Sequence, residues 1–446
     1  MMRPLMAMAI RGVRRLGSAR KVVWPALLLA VLTVVGAGSA ESRGGVVDPP
    51  NVLVIVTDDQ RDQTVRFLPA TKRLFVREGR NYSNAYVATP LCCPSRASIY
   101  SGRYPHNHGV QSNDPEDWLS VFDSSKTLAP ELGAAGYATA HFGKYLNRWD
   151  DKVQGSAGFQ TADTTISRNR PEKTELRLAD RAERYIQRRE DADTQPWFLV
   201  LSTNAAHSPL EPLLRRFREM SVPQMPTTPA YKEKNISDKS RWTRRQIRQR
   251  SGRSATMPPR KYWRRSIRML YGADEMNRRV FAALEEHGED ENTLAIFISD
   301  NGLMLGDHRM VGKIMPQQVD LKVPLMLRWP AQIPPGADPR LALNVDLAPT
   351  IYAAAGIDPG YEVDGYDLRG THDREWVLAE DLDKGWGSVL NLSEHYIDIS
   401  KTSEEEYYDL TLDPFELRNR PGEEARKAEL KALVDVYDEC RGLDCP

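Results

Sequence analysis

Three apolar runs in this 446-residue chain end abruptly in polar residues, and that arrangement restricts the fold more than any other feature. Asn51-Val52-Leu53-Val54-Ile55-Val56 runs into Thr57-Asp58-Asp59-Gln60. Trp197-Phe198-Leu199-Val200-Leu201 runs into Ser202-Thr203-Asn204-Ala205-Ala206-His207. Thr293-Leu294-Ala295-Ile296-Phe297-Ile298-Ser299 runs into Asp300-Asn301-Gly302. Unbroken apolar runs of this length fit strands buried on both faces of a parallel sheet. In open α/β sheets, ligands sit beyond the carboxyl ends of the strands. Three strands that each deliver metal-competent or titratable residues at that edge point to one shared site. Neighbouring carboxylates such as Asp58 and Asp59 are costly at a strand end unless solvated or bound to a cation. An ordinary acidic turn is the competing reading.

Helical patterns fall between these runs, as an α/β fold requires. Thr127 to Gly136 reads as a short helix capped by Thr127 and closed by glycine. Arg265 to Glu286 carries a helical stripe through Ile267, Leu270, Met276, Val280, Phe281 and Leu284. From about residue 371 the texture changes. Short strand-like pieces such as Glu375–Ala379 give way to acidic Glu404-Glu405-Glu406 and then Tyr407-Tyr408-Asp409-Leu410, Asp413–Glu416 reads as a turn, and Glu424 to Tyr437 as an amphipathic terminal helix. The expected division is a catalytic domain over 41–370 and a small α+β domain over 371–446, with a four-stranded antiparallel sheet and a terminal helix. No internal repeat or low-complexity tract is present.

Residues 1–40 read as a secretory signal peptide. Six basic side chains (Arg3, Arg11, Arg14, Arg15, Arg20, Lys21) and no acid accompany the apolar run Val22–Val35, and Gly38-Ser39-Ala40 offers a cleavage site. An uncleaved anchor is the alternative, although the run is short for a membrane span. Without these residues the chain holds 55 basic against 61 acidic side chains, a balance that argues against a nucleic-acid binder. One segment departs from it: Arg241 to Arg268 holds eleven Lys or Arg and no acid. A solvated basic face and an electropositive rim for a polyanionic substrate are the two readings.

Four cysteines remain, and an exported chain favours disulfides. Cys440 and Cys445 lie close together, so pairing them is the economical choice and leaves Cys92 and Cys93 free. In Leu91-Cys92-Cys93-Pro94-Ser95-Arg96 the proline predicts a helix starting at or just after position 94, with both cysteines just before its N-terminus. Free N–H groups and the positive end of the dipole gather there, which suits an anion or an activated nucleophile. Buried thiols or disulfide halves are the plain alternatives. A tyrosine-phosphatase phosphate loop is excluded, because the positions where its arginine would follow hold Ser98 and Ile99.

Cys92-Cys93-Pro94-Ser95-Arg96, continued by Ser101-Gly102-Arg103, resembles the sulfatase signature, whose first cysteine is oxidised to formylglycine. The resemblance extends through Asp58-Asp59, Gly143-Lys144-Tyr145-Leu146-Asn147, His207, Ser299-Asp300-Asn301-Gly302 and Gly306-Asp307-His308-Arg309 to Gly312-Lys313, from residue 51 to about 350. Cys-Cys-Pro-Ser-Arg, Tyr104-Pro105-His106-Asn107-His108 and Gly-Lys-Tyr-Leu-Asn look most like the branch of glucosamine-6-sulfatases and extracellular heparan-type sulfatases. Two departures stand out. Leu146 takes the place of a histidine common in arylsulfatases, and Gln317-Gln318 stands near where many sulfatases have Tyr-Glu.

The resemblance implies an alkaline-phosphatase-like α/β fold, with a large mixed, mostly parallel sheet flanked by helices and a smaller C-terminal α+β domain. It implies one divalent cation on Asp58, Asp59, Asp300, Asn301 and the converted Cys92. An all-oxygen protein set favours Ca²⁺ over Mg²⁺, and no zinc-like cluster competes. The hydrated aldehyde would attack sulfur, the alcohol would leave, and the second hydroxyl would collapse to expel sulfate. Arg96, Lys144 and Lys313 are implied to hold or stabilise charge, and His207 to protonate the leaving oxygen. Alone, each lysine reads as solvated and the histidine as structural. His106 and His108 either line the pocket or finish a helix. Implied partners are a sulfated carbohydrate or small aryl sulfate, and a formylglycine-generating enzyme during maturation in a secretory or other extracytoplasmic compartment. No stable membrane span is expected after processing. The alternatives are a phosphomonoester, phosphodiester or phosphonate hydrolase on the same scaffold, or a protein that binds sulfated glycans without acting on them.

Overall fold

The computed structural model describes residues 49–166, 174–208, 214–250 and 257–446. The expected signal peptide lies outside them. Among the described residues no helix is long and apolar enough to cross a membrane.

The apolar runs form the middle of an eight-stranded sheet. Its strands are β1 (Asn51–Thr57), β2 (Arg80–Tyr86), β3 (Ala138–Gly143), β4 (Thr161–Asp163), β5 (Trp197–Ser202), β6 (Thr293–Ser299), β9 (Leu325–Arg328) and β10 (Gly336–Leu343). Met304–Leu305 (β7) and Val311–Gly312 (β8) pair as a separate two-stranded ladder. The order in the large sheet is β10-β2-β9-β6-β1-β5-β3-β4. β9 is antiparallel to β2 and β6, and every other pairing is parallel. This is the mixed, mostly parallel sheet that the resemblance implies.

Alternation along the central strands explains why they are apolar throughout. Val52, Val54 and Val56 of β1, Phe198 and Val200 of β5, and Leu294, Ile296 and Ile298 of β6 enter one core. Leu53 and Ile55, Leu199 and Leu201, and Ala295 and Phe297 enter the other. Helices Thr174–Glu190 and Pro259–His287 cover the second face through Leu178, Ala182, Ile186, Met276, Val280 and Leu284. A strand polar on either side would leave unpaired groups against one of these layers.

Beyond the sheet, Val377–Asp381, Trp386–Leu390, Glu394–Ile399 and Glu404–Asp409 (β11–β14) form a four-stranded antiparallel sheet in sequence order. Helix Glu424–Tyr437 packs on it through Leu430 and Val434, which share the first core with Val389 and Tyr396. The Cys440–Cys445 disulfide is present, and Cys92 and Cys93 are free and buried.

Three local expectations need correction. The helix at the cysteine pair spans Cys92–Ser101, so both cysteines lie in its first turn. Ser95 N donates to Leu91 O (2.9 Å), which puts Pro94 at the third helical position, where its missing N–H costs nothing. The helix read from Arg265 begins at Pro259, because Tyr262 and Trp263 bury an apolar turn between the arginines. Thr127 precedes the helix Leu128–Ala134 without capping it, and its hydroxyl donates instead to Ser124 O (2.8 Å).

Candidate active site

The strand register decides what meets what. Thr57 pairs with Ser299, and Ser202 pairs with Val56 on one side and Gly143 on the other. The residues that follow, Asp58-Asp59, Asp300-Asn301, Lys144 and the loop to His207, therefore leave four adjacent strands at one edge. β2 points the same way, and its exit through Val87–Leu91 brings Cys92 to that edge. Gly143 permits the close approach of β3 to β5. Its φ is +106°, and a Cβ there would lie 1.9 Å from Ser202 O. Gly143→Ala is accordingly expected to destabilise the fold by roughly 3 kcal/mol, read as a lower denaturation midpoint in urea.

Buried charge is matched pair by pair. Arg96, fully buried on the Cys92 helix, donates from Nε to Asp300 Oδ2 (2.8 Å) and from Nη1 to Ser202 Oγ (2.6 Å) and Lys144 O (2.8 Å). Its Nη2 lies 3.6 Å from Asp58 Oδ2. Lys144 Nζ donates to Asp58 Oδ2 (2.6 Å). Lys313 Nζ contacts Asp59 Oδ1 (2.6 Å), Asn301 Oδ1 (3.1 Å) and Cys92 Sγ (2.7 Å). Asp59 takes a left-handed backbone (φ 59°), and its N–H donates to Asp300 Oδ1 (3.1 Å). Asn301 Nδ2 donates to Asp59 Oδ1 (2.7 Å).

These contacts set the protonation states. Burial by itself would raise the Asp58 carboxyl, but Lys144, His207 and Arg96 hold it well below the usual carboxylate range. Asp59 is lowered in the same way, with Lys313 as the strongest opponent of burial. Burial pushes the Cys92 thiol up to about 12 despite Lys144 and Lys313. A side chain with that pKa is not a thiolate at neutral pH.

The donor set fits a hard cation. One ligand atom from each of Asp58, Asp59, Cys92 and His207 lies within 4.8 Å of the others. The Lys313 ammonium already stands where an Asp59 oxygen, an Asn301 oxygen and the side chain at 92 converge, so the position is built for positive charge. Asp300 is held slightly apart, turned toward Arg96 Nε and the Asp59 amide. His207 Nε2 is 3.8 Å from Asp59 Oδ2, its Nδ1 meets Ser208 O, and its side chain is 37% exposed. It is the site residue that most openly faces solvent. A cleft of about 680 Å³ opens there, lined by Asp58, Lys144, Asn147, Arg148, Asn204 and His207 among others.

All nine residues singled out from the sequence thus gather at one sheet edge. His106 and His108 do not join them. His108 Nδ1 accepts from Val110 N (3.1 Å) and its Nε2 meets Ser98 Oγ (3.1 Å), with burial lowering its pKa to about 3. His106 bridges Glu380 and Cys440 O.

The structure also adds residues that the sequence reading gave no role. Ser95 Oγ donates to Asp300 O, and Asn344 Nδ2 donates to Ser95 Oγ (3.0 Å) while its Oδ1 accepts from Ala88 N (2.9 Å). Cys93 Sγ accepts from Asn147 N (3.2 Å), tying the helix to the Lys144 loop. Tyr262, buried, feels the charges of Asp59 and Lys313. Ser95 stands inside the signature and was within reach of a sequence reading. Asn344 and Tyr262 carry no local signal.

Comparison with known proteins agrees with this geometry. The family description Sulfatase matches residues 50–357. An extracellular sulfatase Sulf-1 homolog of Caenorhabditis elegans is 31% identical over 353 residues, spanning 71% of this chain and 48% of that protein. Human N-acetylglucosamine-6-sulfatase is 29% identical over 404 residues, spanning 80% and 71%. The chain therefore covers about half the length of the nematode relative. A protein solved in complex with its substrate D-glucosamine-2-N,6-O-disulfate superposes with a TM-score of 0.74 at 20% identity, over 87% of this chain and 97% of that one. Phosphonate monoester hydrolase of Agrobacterium radiobacter superposes at 0.69 and 19% identity, over 86% and 94%. At these identities the two superpositions speak for the fold alone.

Proposed function

The chain belongs to the sulfatase family, and on that premise we propose that it is an exported enzyme that hydrolyses sulfate esters of a sulfated amino sugar or glycan. One observation carries the reading. Three carboxylates, an amide and the side chain at 92 meet three cationic side chains at one sheet edge beside an open cleft. The substrate class is supported by the human relative named N-acetylglucosamine-6-sulfatase. Residues 41–370 would carry the reaction, with 371–446 as a smaller flanking domain.

In this proposal Asp58, Asp59, Asp300, Asn301 and the residue at 92 hold one Ca²⁺, the ion an oxygen-rich protein set suits best. When bound, the ion lowers the pKa of an attacking hydroxyl and neutralises sulfate oxygens. A formylglycine at position 92, made by a formylglycine-generating enzyme, supplies in hydrated form an oxygen nucleophile that the buried thiol does not offer.

The chain's own side chains do the rest. Lys144, which lines the cleft, and Lys313, against the side chain at 92, present ammonium groups placed to hold the oxygens of a bound sulfate. Arg96 holds Asp58 and Asp300 in place without reaching solvent. His207, open to the cleft, protonates the ester oxygen as the alcohol departs. Leu146 and Trp149 give the cleft an apolar wall against which a sugar face packs. Leu146 also removes any second imidazole from that side.

The test pairs a rate comparison with a mass. Matched aryl sulfate and aryl phosphate esters are offered to protein from a host that supplies the modifying enzyme. Faster sulfate hydrolysis is expected, and the peptide spanning position 92 should be lighter than its cysteine form by about 18 mass units. Faster turnover of the phosphate, or of a phosphonate monoester, overturns the assignment.

A further inference from the structure

We propose that Glu175 is a positioning residue that sets, through Thr203, the turn carrying His207 and the backbone of Asp58. This rests on the sulfatase reading above, in which His207 protonates the leaving oxygen, and adds to it the buried group that aims His207.

Glu175 is 1% exposed and lies in the first turn of helix Thr174–Glu190. Leu178 and Ala179, three and four residues on, share its face of the helix and enter the core on the second side of the sheet. A carboxyl group is a poor filling for such a layer. The buried carboxylates at the site each have a cation, Asp58 with Lys144, Asp59 with Lys313 and Asp300 with Arg96. Among the described residues no cation stands against Glu175, and its Oε2 has no hydrogen-bond partner. Burial pushes its carboxyl up to about 7. A group buried in this way costs stability that an apolar side chain of similar size would not. Its one side-chain contact is the Thr203 hydroxyl, which donates to Oε1 at 2.6 Å.

That bond orients a hydroxyl with a second task. Thr203 is the first residue past β5, and its N–H donates to Val56 O (3.0 Å). Because its O–H points to Glu175, the lone pairs of the same oxygen are left to accept from Ala205 N (3.0 Å). The turn then closes on the end of β1. Asp58 N donates to Ala205 O (2.8 Å), Ala206 N donates to Asp58 O, and His207 N donates to Asn204 O (2.6 Å). A series of hydrogen bonds therefore joins the Glu175 carboxyl to the backbone on which Asp58 and His207 stand. A side chain that only filled space would need none of these bonds. Without the acceptor the hydroxyl is free to rotate, and the turn loses the contact that orders it.

Four variants test this. Glu175→Leu removes the acceptor, Glu175→Gln keeps it, and Thr203→Val removes the hydroxyl. Ile186→Ala weakens the same buried helix face eleven residues away. Phenyl sulfate and 4-nitrophenyl sulfate are the substrates, and the phenyl ester, with the poorer leaving group, depends more on a proton from His207. In Glu175→Leu, kcat on phenyl sulfate should fall about tenfold or more, with KM within about threefold, and should fall less on the nitrophenyl ester. Thr203→Val, which leaves the helix intact, should repeat that pattern, and the double variant should lose no more than either alone. Glu175→Gln should return to within about threefold of the wild type. Ile186→Ala should lower the denaturation midpoint and leave the ratio of the two rates unchanged. Equal losses on the two esters, the same change of ratio in Ile186→Ala, or no recovery in Glu175→Gln would overturn the proposal. If the wild type hydrolyses no sulfate ester, the proposed function fails, and the ¹⁵N signals of the His207 imidazole, identified by their absence from His207→Gln, decide this one. They should move in Glu175→Leu and stay in place in Glu175→Gln; signals unmoved by the leucine overturn it.

Discussion

Cys92→Ala is expected to remove sulfate ester hydrolysis almost completely, by at least about 10⁴-fold in kcat, while the protein stays folded. The side chain at 92 touches Lys313 Nζ at 2.7 Å and lies 3.6 Å from Asp58 Oδ1, so every group proposed to act on sulfur is aimed at that position. Losing one buried sulfur leaves a small void and costs about 1–2 kcal/mol, too little to unfold a domain of this size. Initial rates on an aryl sulfate, with a denaturation curve alongside, separate the two effects. Cys92→Ser makes the comparison sharper. A serine supplies one hydroxyl where a hydrated aldehyde supplies two, so multiple turnover should be lost there as well. A serine variant that cycles at the wild-type rate would show that no aldehyde is needed.

Arg96→Met is expected to lose both activity and stability. Methionine roughly keeps the length and removes the charge, leaving the buried Asp300 carboxylate with the Asp59 amide alone and Asp58 with Lys144. Breaking a buried pair from one side costs about 3–5 kcal/mol, because the remaining charge stays buried without compensation. The pH dependence identifies the cause. In the wild type Asp58 is depressed below its ordinary 3.8, so its ionised pairing stabilises the fold fully above that value and is lost as pH falls toward the folded-state value. Without Arg96 the depression is smaller, so the variant's deficit should be largest near neutrality and shrink below about pH 4. A deficit that is the same at pH 4 and pH 7 would point to lost packing instead.

The sheet was legible because its chemistry is local and repetitive. Each central strand must be apolar on both faces, so β1, β5 and β6 announce themselves as unbroken runs, and their polar ends follow directly. Metal-competent residues were legible for the same reason, since Asp58-Asp59 and Asp300-Asn301 sit where a carboxyl end places them. What the sequence hides is set by tertiary partners. Pro94 reads as a helix start, yet Leu91 O supplies an acceptor that lets the helix begin at Cys92. Tyr262 is one aromatic among arginines until the helix packs and buries it within electrostatic reach of Asp59 and Lys313. Asn344 is an unremarkable amide in sequence, and it matters because Ser95 and Ala88 arrive on either side of it. Contacts between positions some 250 residues apart leave no periodic trace in one chain.

If position 92 is converted as proposed, the burial of Cys92 also sets an order of events. Its sulfur is closed in by the Cys92–Ser101 helix, by Asp58 from the strand before it, and by Lys313, which is synthesised 221 residues later. In the finished fold no enzyme can reach that side chain. Any catalyst that converts it must work in the interval after position 92 has emerged and before β6 and the Lys313 loop have docked. Slower docking therefore widens the interval, and a substitution far from the site that speeds β6 pairing would lower the converted fraction without touching a single catalytic group.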